Sequence, residues 1–282
     1  MKILITGAAG VLGRTVTGLL EAAGGYDLRL TDVVPLATAH EFISAELADW
    51  EQVEPLAQGV DQVLHIAAIH PWKQYTDEQY LDCNLKGTFN VVRSAALAQV
   101  DRLIYTSSVA SMGYAPTAEY PLPFDETKPC FPEDHIYSVS KHVGEQFCHL
   151  FHTTHKLDWL FLRPGCFIPC DENEPWFGLE LLKMRMTAGD VASGHLLALQ
   201  SDLRQEALLI TAGVPFTRAE GPELLTDARA VILRHFPEAT WLEEHGTPLP
   251  SVLSPTYRID KARDLIGYEP QVHFGSWLAE RA

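Results

Sequence analysis

The chain has 282 residues, of which 46% are hydrophobic and 21% are charged, and its formal net charge is −16. This length and apolar fraction exclude disorder as the main state, and the acidic balance argues against broad nucleic-acid binding, which needs a positive face. No apolar run approaches the roughly 20 residues of a membrane span, so we expect no membrane partner. The first residues lack the long apolar segment of a secretory signal, and the five cysteines contain no C-x-x-C pair. Both observations predict a cytoplasmic protein with reduced thiols.

Short apolar strands alternate with helical segments through the first two hundred residues. The predicted strands are Lys2–Thr6, Asp27–Thr31, Gln62–Ile66, Arg102–Thr106, Trp159–Leu162 and Ala207–Thr211. The predicted helices are Leu12–Ala23, Trp50–Gln58, Asp82–Gln99, Tyr137–His155 and Asp190–Gln200. This alternation predicts an α/β fold with a doubly wound parallel sheet, because strands joined by helices make right-handed crossovers. From Pro215 onward, frequent prolines interrupt the pattern and predict a smaller C-terminal lobe of helices and loops.

A glycine-rich segment lies between the first strand and the first helix. Gly7, Gly10 and Gly13 have the spacing G-x-x-G-x-x-G, in which glycine permits a tight turn and lets the backbone approach a pyrophosphate at the helix N-terminus. Asp32 ends the second strand, 19 residues after Gly13. A carboxylate there accepts both ribose hydroxyls of NAD and repels the 2′-phosphate of NADP. A simple turn residue is the alternative for Asp32, but the preceding motif favours NAD as the cofactor.

Tyr137 and Lys141 are four residues apart on one predicted helix and therefore share a face. A positive charge beside a buried tyrosine lowers the pKa of the tyrosine. Tyr137 can then exchange a proton with a hydroxyl or carbonyl oxygen near neutral pH. Ser108 follows the fourth predicted strand at the carboxyl edge of the sheet, and its hydroxyl is placed to hold the same oxygen. A Y-x-x-x-K pair arises by chance on many helices, but together with the glycine segment and Ser108 it favours catalysis.

These motifs resemble the extended short-chain dehydrogenase/reductases, also called the NAD-dependent epimerase/dehydratase family. The match runs nearly from end to end of the chain. The further segments that carry the resemblance are Asp61–Ala68 (DQVLHIAA), Asn84–Thr88 (NLKGT), Ser107-Ser108, Arg163–Gly165 (RPG), Asp190–Ala192 (DVA) and Leu265–Pro270 (LIGYEP).

The resemblance implies a Rossmann-type NAD-binding domain over residues 1–163 and 189–213, and a smaller substrate lobe over 164–188 and 214–282. It implies that Tyr137 is the acid/base, that Lys141 orients the ribose and lowers the tyrosine pKa, and that Ser108 binds the reacting oxygen. It also implies a homodimer built on helices 82–99 and 137–155. The family's adenine-binding acid, usually an aspartate, is replaced here by a glutamate. The implied cofactor contacts are Gly7, Gly10, Val11, Leu12, Gly13, Asp32, Glu46, Leu47, Ala67, Ala68, Asn84, Tyr137, Lys141 and Pro164.

The segment between Gly165 and Asp190 is short for this family, at 25 positions. Nucleotide-sugar epimerases and dehydratases are longer here, where they grip the nucleotide diphosphate, so the shortness predicts a free sugar, an aldonate-type acid or another small carbonyl compound. The alternative is a trimmed loop with the nucleotide site elsewhere. The family's uronate dehydrogenases are similarly short and clamp the substrate carboxylate with an arginine, where this chain has Glu180. The net charge of −16 disfavours long-range attraction of an anionic ligand, which would therefore depend on local cations such as Lys141, Arg163, Lys183 and Arg185.

Several residues near the expected cleft are candidate substrate contacts. His70 and Trp72 follow a predicted strand end, and Trp176 and Arg185 lie on the short segment. Ser108 completes this set. A surface aromatic is the alternative interpretation for each tryptophan.

Histidines and cysteines elsewhere give weaker signals. His149, His152 and His155 recur every three residues but lack a carboxylate or cysteine at ligand spacing, which favours a helix surface and predicts no metal. Cys166 and Cys170 are predicted to be packing residues, since no activating partner can be assigned to them.

Three functions fit these observations. The leading hypothesis is an NAD-dependent oxidoreductase that moves hydride between nicotinamide and a hydroxyl or carbonyl carbon of a small sugar-like substrate. The second is an epimerase or dehydratase that keeps its NAD bound and regenerates it in each cycle. The third is a non-catalytic NAD(H) sensor, which has no need of Ser108, Tyr137 and Lys141.

Overall fold

A computed structural model of the protein describes residues 1–132 and 135–282. The strands are β1 (Lys2–Thr6), β2 (Asp27–Asp32), β3 (Glu41–Ser44), β4 (Gln62–His65), β5 (Arg102–Thr106), β6 (Asp158–Pro164) and β7 (Glu206–Ile210). They form one sheet in the order β3-β2-β1-β4-β5-β6-β7. β1 pairs in parallel with β2 and β4, and β5 pairs in parallel with β4 and β6. This is the strand order of a Rossmann-type doubly wound sheet, as the sequence predicts.

Helices connect the strands and form most of the C-terminal region. They are α1 (Val11–Ala23), α2 (Trp50–Val53), α3 (Asp77–Tyr80), α4 (Thr88–Leu97), α5 (Ile136–His155), α6 (Pro175–Leu181), α7 (Ala188–Gln200), α8 (Gly221–Leu224), α9 (Ala228–His235), α10 (Thr240–Glu244), α11 (Asp260–Ile266) and α12 (Phe274–Ala279). A π-helical segment, Leu81–Gly87, joins α3 to α4, and a 3₁₀ turn at Val109–Met112 follows β5. Among the residues described, no helix has the length and apolar character to cross a membrane.

Two helix predictions were wrong in their extent. The helix predicted over Trp50–Gln58 ends at Val53, because Pro55 has no N–H to continue the hydrogen-bond ladder. The helix predicted over Asp82–Gln99 begins earlier, with α3 at Asp77, and α4 ends at Leu97. Between α3 and α4 the chain is π-helical over Leu81–Gly87.

One strand escaped prediction altogether. The edge strand β3 carries only half-buried and exposed residues, so it has no apolar run to reveal it. Its structure comes from parallel pairing with β2. The third predicted strand is consequently the fourth in the chain.

The strands and helices enclose a hydrophobic core. Members of this core include Leu4, Val63, Val91, Leu103, Tyr105 and Phe161. Since the strands are parallel, their carboxyl ends lie at one edge of the sheet. Thr6, Asp32, His65 and Thr106 therefore mark the edge where the candidate site residues begin.

The chain divides into two compact units. The first comprises Met1–Gly113, Cys130–Arg163 and Ala192–Ala207, and it contains α1 to α5 with most of the sheet. The second comprises Tyr114–Pro129, Pro164–Val191 and Leu208–Ala282. The assignment of cofactor binding to one region and substrate binding to the other stays a prediction.

Residues of two late sequence motifs form hydrogen bonds within the second unit. The Asp190 carboxylate accepts hydrogen bonds from the backbone N–H groups of Gln271, at 2.6 Å, and Val272, at 3.2 Å. The hydroxyl of Tyr268 donates to the Thr211 carbonyl at 3.2 Å. These contacts explain the DVA and LIGYEP segments as structural links.

Candidate functional site

The segment between β1 and α1 leaves the N-terminus of the helix open. Gly10 is the N-cap residue, and within the described residues it has no side-chain cap and no acidic residue in the turn that follows. The first N–H groups of α1 therefore point out of the helix without a side-chain partner, and the helix dipole adds partial positive charge. This arrangement suits a phosphate group.

Gly7 and Gly13 are required by close packing of this segment. Gly7 has a φ of +73°, and a Cβ there would lie 2.7 Å from the Cα of Ala67. A Cβ at Gly13 would lie 2.1 Å from the Gly7 carbonyl oxygen. The glycine segment is thus pressed between α1 and the residues that follow β4.

Asp32 is fixed beside the glycine segment. One carboxylate oxygen accepts from the backbone N–H of Ala9 at 2.9 Å, and the other accepts from that of Val34 at 2.9 Å. Each oxygen keeps a further lone pair for a ligand donor. The position and free acceptor capacity of Asp32 agree with ribose binding rather than with a turn role alone.

Of the two residues predicted to meet adenine, Glu46 and Leu47, one borders a surface groove. Glu46 lines a cavity of about 420 Å³ together with Asp49, Trp50 and Lys86. Leu47 is buried, and its carbonyl accepts from the Asn90 amide at 2.8 Å. This leaves Glu46 as the member of the pair that a ligand can reach.

Asn84 joins the loop after β4 to the helix that carries Tyr137. Its amide oxygen accepts from the Ile69 N–H at 2.9 Å, and its amide nitrogen donates to the Ile69 carbonyl at 3.0 Å and to Ser140 Oγ at 3.2 Å. Ser140 in turn donates to the Tyr137 carbonyl at 2.7 Å. Because both amide protons are used within the protein, Asn84 holds the loop and α5 together.

Lys141 lies one helical turn beyond Tyr137 and is only 2% exposed. Its Nζ donates to the Thr106 carbonyl at 2.7 Å and lies 5.8 Å from the ring centroid of Tyr137. Burial lowers the pKa of Lys141 to about 8, so the ammonium form still predominates at neutral pH. A fixed positive charge beside the phenol favours its ionised form.

Two histidines contact Tyr137, which is itself buried. His135 is the N-cap of α5, and its Nδ1 accepts from the Tyr137 N–H at 3.0 Å. The ring of His70 lies edge-on to the Tyr137 ring, with centroids 4.8 Å apart. Sequence reasoning missed His135 and Ser140, because neither belongs to a motif that the sequence displays.

The two serines after β5 have different partners. Ser107 Oγ donates to the Glu145 carboxylate at 2.6 Å, so this hydroxyl is committed to the protein. Ser108 Oγ accepts from the Ala110 N–H at 3.1 Å, which leaves its own O–H proton for another acceptor. The 3₁₀ turn that Ser108 caps packs against α5. Ser108 is therefore the serine suited to hold a substrate oxygen.

Arg163 is not available to an anionic ligand, contrary to the sequence-based expectation. Its guanidinium binds both oxygens of the buried Glu145 carboxylate, at 2.9 and 2.8 Å. Ligand atoms of Cys130, His142 and Glu145 lie within 4.8 Å of one another. The guanidinium already neutralises that carboxylate and repels a cation, so we assign this cluster to packing.

In the second unit, the predicted cations also differ in their partners. Lys183 pairs with Glu180 at 2.8 Å, so its charge is balanced within the protein, and a role toward a ligand stays a prediction. Arg185 donates to the sulfur of Cys166 at 3.1 Å and to the Ile168 carbonyl, and its guanidinium lies 5.4 Å from the Trp176 ring. No carboxylate among the described residues forms an ion pair with Arg185. It is the predicted cation of this unit whose charge is left unbalanced.

The remaining candidates occupy varied environments. Trp72 is 51% exposed, with the Lys73 ammonium 5.0 Å from its ring, and Trp176 is 44% exposed. Val11 is exposed and Leu12 is buried at the start of α1, and Pro164 is buried at the end of β6.

The three regularly spaced histidines each have a separate partner. His149 stacks edge-on against Trp159 at 4.5 Å. His152 Nδ1 lies 3.1 Å from the Leu157 carbonyl, and His155 Nδ1 lies 2.8 Å from Thr154 Oγ1. These contacts agree with a helix surface.

The amino-acid sequence is similar to those of known proteins. Residues 3–168 match the NAD dependent epimerase/dehydratase family. A uronate dehydrogenase of Pseudomonas putida is 32% identical over 178 residues, which are 61% of this chain and 63% of that protein. A UDP-glucose 4-epimerase of Mycolicibacterium smegmatis is 29% identical over 58% of this chain and 56% of its own length. Both matched regions thus span less than two thirds of the relative.

Solved structures show the same fold over nearly the whole chain. A short-chain dehydrogenase/reductase superfamily protein from Agrobacterium tumefaciens, crystallised with NAD, has a TM-score of 0.76 at 21% identity and covers 99% of this chain and 95% of its own. The family match extends from β1 through the glycine segment, Ser108, Tyr137 and Lys141 to the residues after β6. The chain belongs to the NAD-dependent epimerase/dehydratase family.

Proposed function

We propose that this protein is an NAD-dependent oxidoreductase that transfers hydride between nicotinamide and a hydroxyl or carbonyl carbon of a small sugar-like substrate. The observation that carries the proposal is the buried ammonium of Lys141, held by the Thr106 carbonyl beside the Tyr137 phenol. Burial of a charge is costly, and the hydrogen bond to the Thr106 carbonyl offsets part of that cost. A positive charge in this position stabilises the ionised form of Tyr137, which accepts a proton.

The residues present fit NAD. The open N-terminus of α1 is suited to the pyrophosphate, and the crowded glycines let the backbone approach it. Asp32 has acceptor capacity for the ribose hydroxyls, and its charge disfavours a 2′-phosphate. When bound, NAD supplies the hydride acceptor or donor, and the protein positions it.

The chain's own groups then handle the proton. In the oxidative direction, Tyr137 takes the hydroxyl proton from the substrate while Ser108 donates a hydrogen bond to the same oxygen. Lys141 holds the charge that makes this transfer favourable. In the reductive direction, Tyr137 returns the proton to the carbonyl oxygen.

For the substrate, we propose a sugar-like compound without a nucleotide. The short segment between Gly165 and Asp190 and the uronate dehydrogenase relatives, at about 30% identity, support this choice. Arg185 offers an unbalanced charge to an acidic substrate, and it does so from a different position than the one occupied by Glu180.

The proposal is tested by incubating the purified protein with NAD and each of D-galacturonate, D-glucuronate, D-galactose, D-glucose and UDP-glucose. We expect net NADH formation with at least one free sugar or uronate. NADH formation with UDP-glucose alone would contradict the proposed substrate class, and formation with none of them would contradict the proposed activity.

The UDP-glucose 4-epimerase relative favours a second candidate, an enzyme that retains NAD and uses the same tyrosine and lysine in both half-reactions. In that case, product forms with no net NADH, and denaturation releases tightly held cofactor. A sensor would give neither product nor NADH.

We further propose a cytoplasmic homodimer that associates through α4 and α5. These helices pack against each other within the chain and carry exposed apolar residues, including Leu97 and Leu150. Light scattering after size-exclusion chromatography tests the dimer. Leu150→Glu is expected to give a monomer, whereas a monomeric wild type would refute the proposal.

A further inference from the structure

His70 lies beside the proposed proton-transfer residue but has no part in the scheme above. Its half-buried ring meets the Tyr137 ring edge-on at 4.8 Å, in the loop that Asn84 fixes to α5. A side chain in this position either packs against the tyrosine or contacts the substrate. These roles differ in whether both ring nitrogens have hydrogen-bond partners within the protein or one is left for the substrate.

The backbone fixes the tautomer of His70. The Trp72 N–H donates to His70 Nδ1 at 3.3 Å, so Nδ1 acts as an acceptor and carries no proton. Burial, Lys141 and His135 together lower the pKa of His70 to about 4, so the ring is neutral at physiological pH. A neutral imidazole with an unprotonated Nδ1 carries its proton on Nε2.

The Nε2–H group has no hydrogen-bond partner among residues 1–132 and 135–282. It is not sealed inside the protein either, because the buried polar atoms that lack a partner belong to other side chains. A donor that is oriented, uncharged and next to the reacting phenol is suited to an uncharged oxygen of the substrate.

We infer that His70 is a specificity-determining residue, whose Nε2–H donates to a substrate oxygen on the carbon next to the reacting one. This inference rests on the proposed function, because it takes Tyr137 as the residue that meets the reacting oxygen. The substrate class becomes narrower: a vicinal diol or α-hydroxy carbonyl compound, rather than a simple alcohol.

The chain offers a matched set of variants. His70→Gln keeps an N–H donor near the place of Nε2, His70→Asn moves the amide toward the place of Nδ1, and His70→Phe keeps a planar ring without a donor. We compare their kcat/KM for NAD reduction with D-galactose and D-glucose against the corresponding 2-deoxy sugars.

We expect His70→Phe and His70→Asn to lose about 10- to 100-fold with the parent sugars, and little with the 2-deoxy sugars, because only the parents present the vicinal hydroxyl. His70→Gln is expected to recover most of the loss. An equal loss with parent and 2-deoxy sugars, or no loss at all, would overturn the inference.

A measurement that is independent of turnover separates this inference from the proposed function. Nitrogen-15 NMR of histidine-labelled protein, with His70 assigned from the His70→Gln spectrum, is expected to show the Nε2–H tautomer from neutral pH down to about pH 5. An Nδ1–H tautomer or a charged ring at neutral pH would overturn the inference. If no sugar is oxidised, the proposed function fails. The His70 inference is then still tested by adding D-galactose to NADH-loaded protein, because a hydrogen bond from Nε2–H to the sugar shifts the His70 Nε2 signal. No shift with D-galactose, or the same shift with 2-deoxy-D-galactose, counts against it.

Discussion

The two compact units differ in how they hold their charged side chains. In the first unit, Lys141 and Arg163 are buried, and each is bound by a group that the fold places opposite it, the Thr106 carbonyl and the Glu145 carboxylate. In the second unit, Arg185 is half-buried, and its partners among the described residues are a thiol sulfur and a carbonyl oxygen. These two first-unit cations are thus fixed before any ligand arrives, whereas Arg185 has no carboxylate partner among the residues that the structure describes.

We propose that this difference reflects a division of labour between groups that the fold locks and groups that it leaves open. Chemistry that must occur identically in each cycle benefits from groups locked by buried hydrogen bonds, because reorganisation then costs little. Recognition of one substrate among many depends on groups whose partners the substrate completes. Changes at Tyr137 or Lys141 are therefore expected to affect kcat or folding, and a change at Arg185 is expected to affect KM.

The largest effect is expected from Tyr137→Phe. Removing the phenol oxygen removes the proton acceptor, so kcat should fall by about 10²- to 10⁴-fold while NAD affinity changes little. Steady-state kinetics and titration with NAD measure the two quantities. Tyr75→Phe, on the loop before α3, is the matched control and should keep full activity. Unchanged turnover in Tyr137→Phe would contradict the assignment of proton transfer to Tyr137 of the first unit.

The buried ammonium of Lys141 should be visible in the pH dependence of stability. The pKa of Lys141 is about 8 in the fold and about 10.5 in the unfolded chain. Between these values the unfolded chain holds the extra proton, so raising the pH stabilises the fold. The full contribution is on the order of 3 kcal/mol.

The free energy of unfolding of the wild type minus that of Lys141→Met, measured with urea, should therefore rise between about pH 7.5 and about pH 10. Taking the difference removes the opposing effect of buried thiols such as Cys148, whose pKa is raised by burial. Lys73→Met, which alters an exposed lysine, should keep the wild-type pH dependence. Parallel curves for wild type and Lys141→Met would mean that the ammonium is not buried as described.

Two glycines of α1 provide an internal comparison of packing. Gly13→Ala places a Cβ against the Gly7 carbonyl, and we expect a loss of at least about 2 kcal/mol in the free energy of unfolding together with weaker NAD binding. At Gly18 nothing lies within 4 Å of an added Cβ. Gly18→Ala should therefore stabilise the helix by about 0.5–1 kcal/mol. Urea unfolding measures the free energy of unfolding of both variants, which should fall for Gly13→Ala and rise for Gly18→Ala. Equal effects of the two substitutions would contradict the close packing at Gly13.

The smallest effect is expected in the second unit. Arg185→Ala should raise KM about 10-fold for D-galacturonate and leave KM for D-galactose nearly unchanged, since only the uronate offers a carboxylate to the guanidinium. Lys183→Ala, whose charge is already paired with Glu180, is the matched control. A similar change in KM for both sugars would assign Arg185 to packing and weaken the contrast between the units.

Some parts of the fold were readable because they depend on local pattern. The strands β1, β4 and β5 are apolar runs, α1 and α5 have helical spacing, and the glycine segment lies between strand and helix. The edge strand β3 was not readable, because pairing with β2 rather than its own composition makes it a strand. The π-helical turn that carries Asn84 was likewise hidden, since the contacts of Asn84 with Ile69 and Ser140 join residues that are distant in the chain.

The sequence by itself determined the fold class, the glycine segment and the Tyr137–Lys141 pair, because these depend on residues close together in the chain. Only the tertiary structure decided which charged side chains already have partners within the protein. Arg163 and Glu145, or Lys141 and the Thr106 carbonyl, are separated by many residues, and their pairing follows from how α5 lies against β5 and β6. The tautomer of His70 also depends on the folded loop, because the Trp72 N–H donates to Nδ1 and leaves the proton on Nε2.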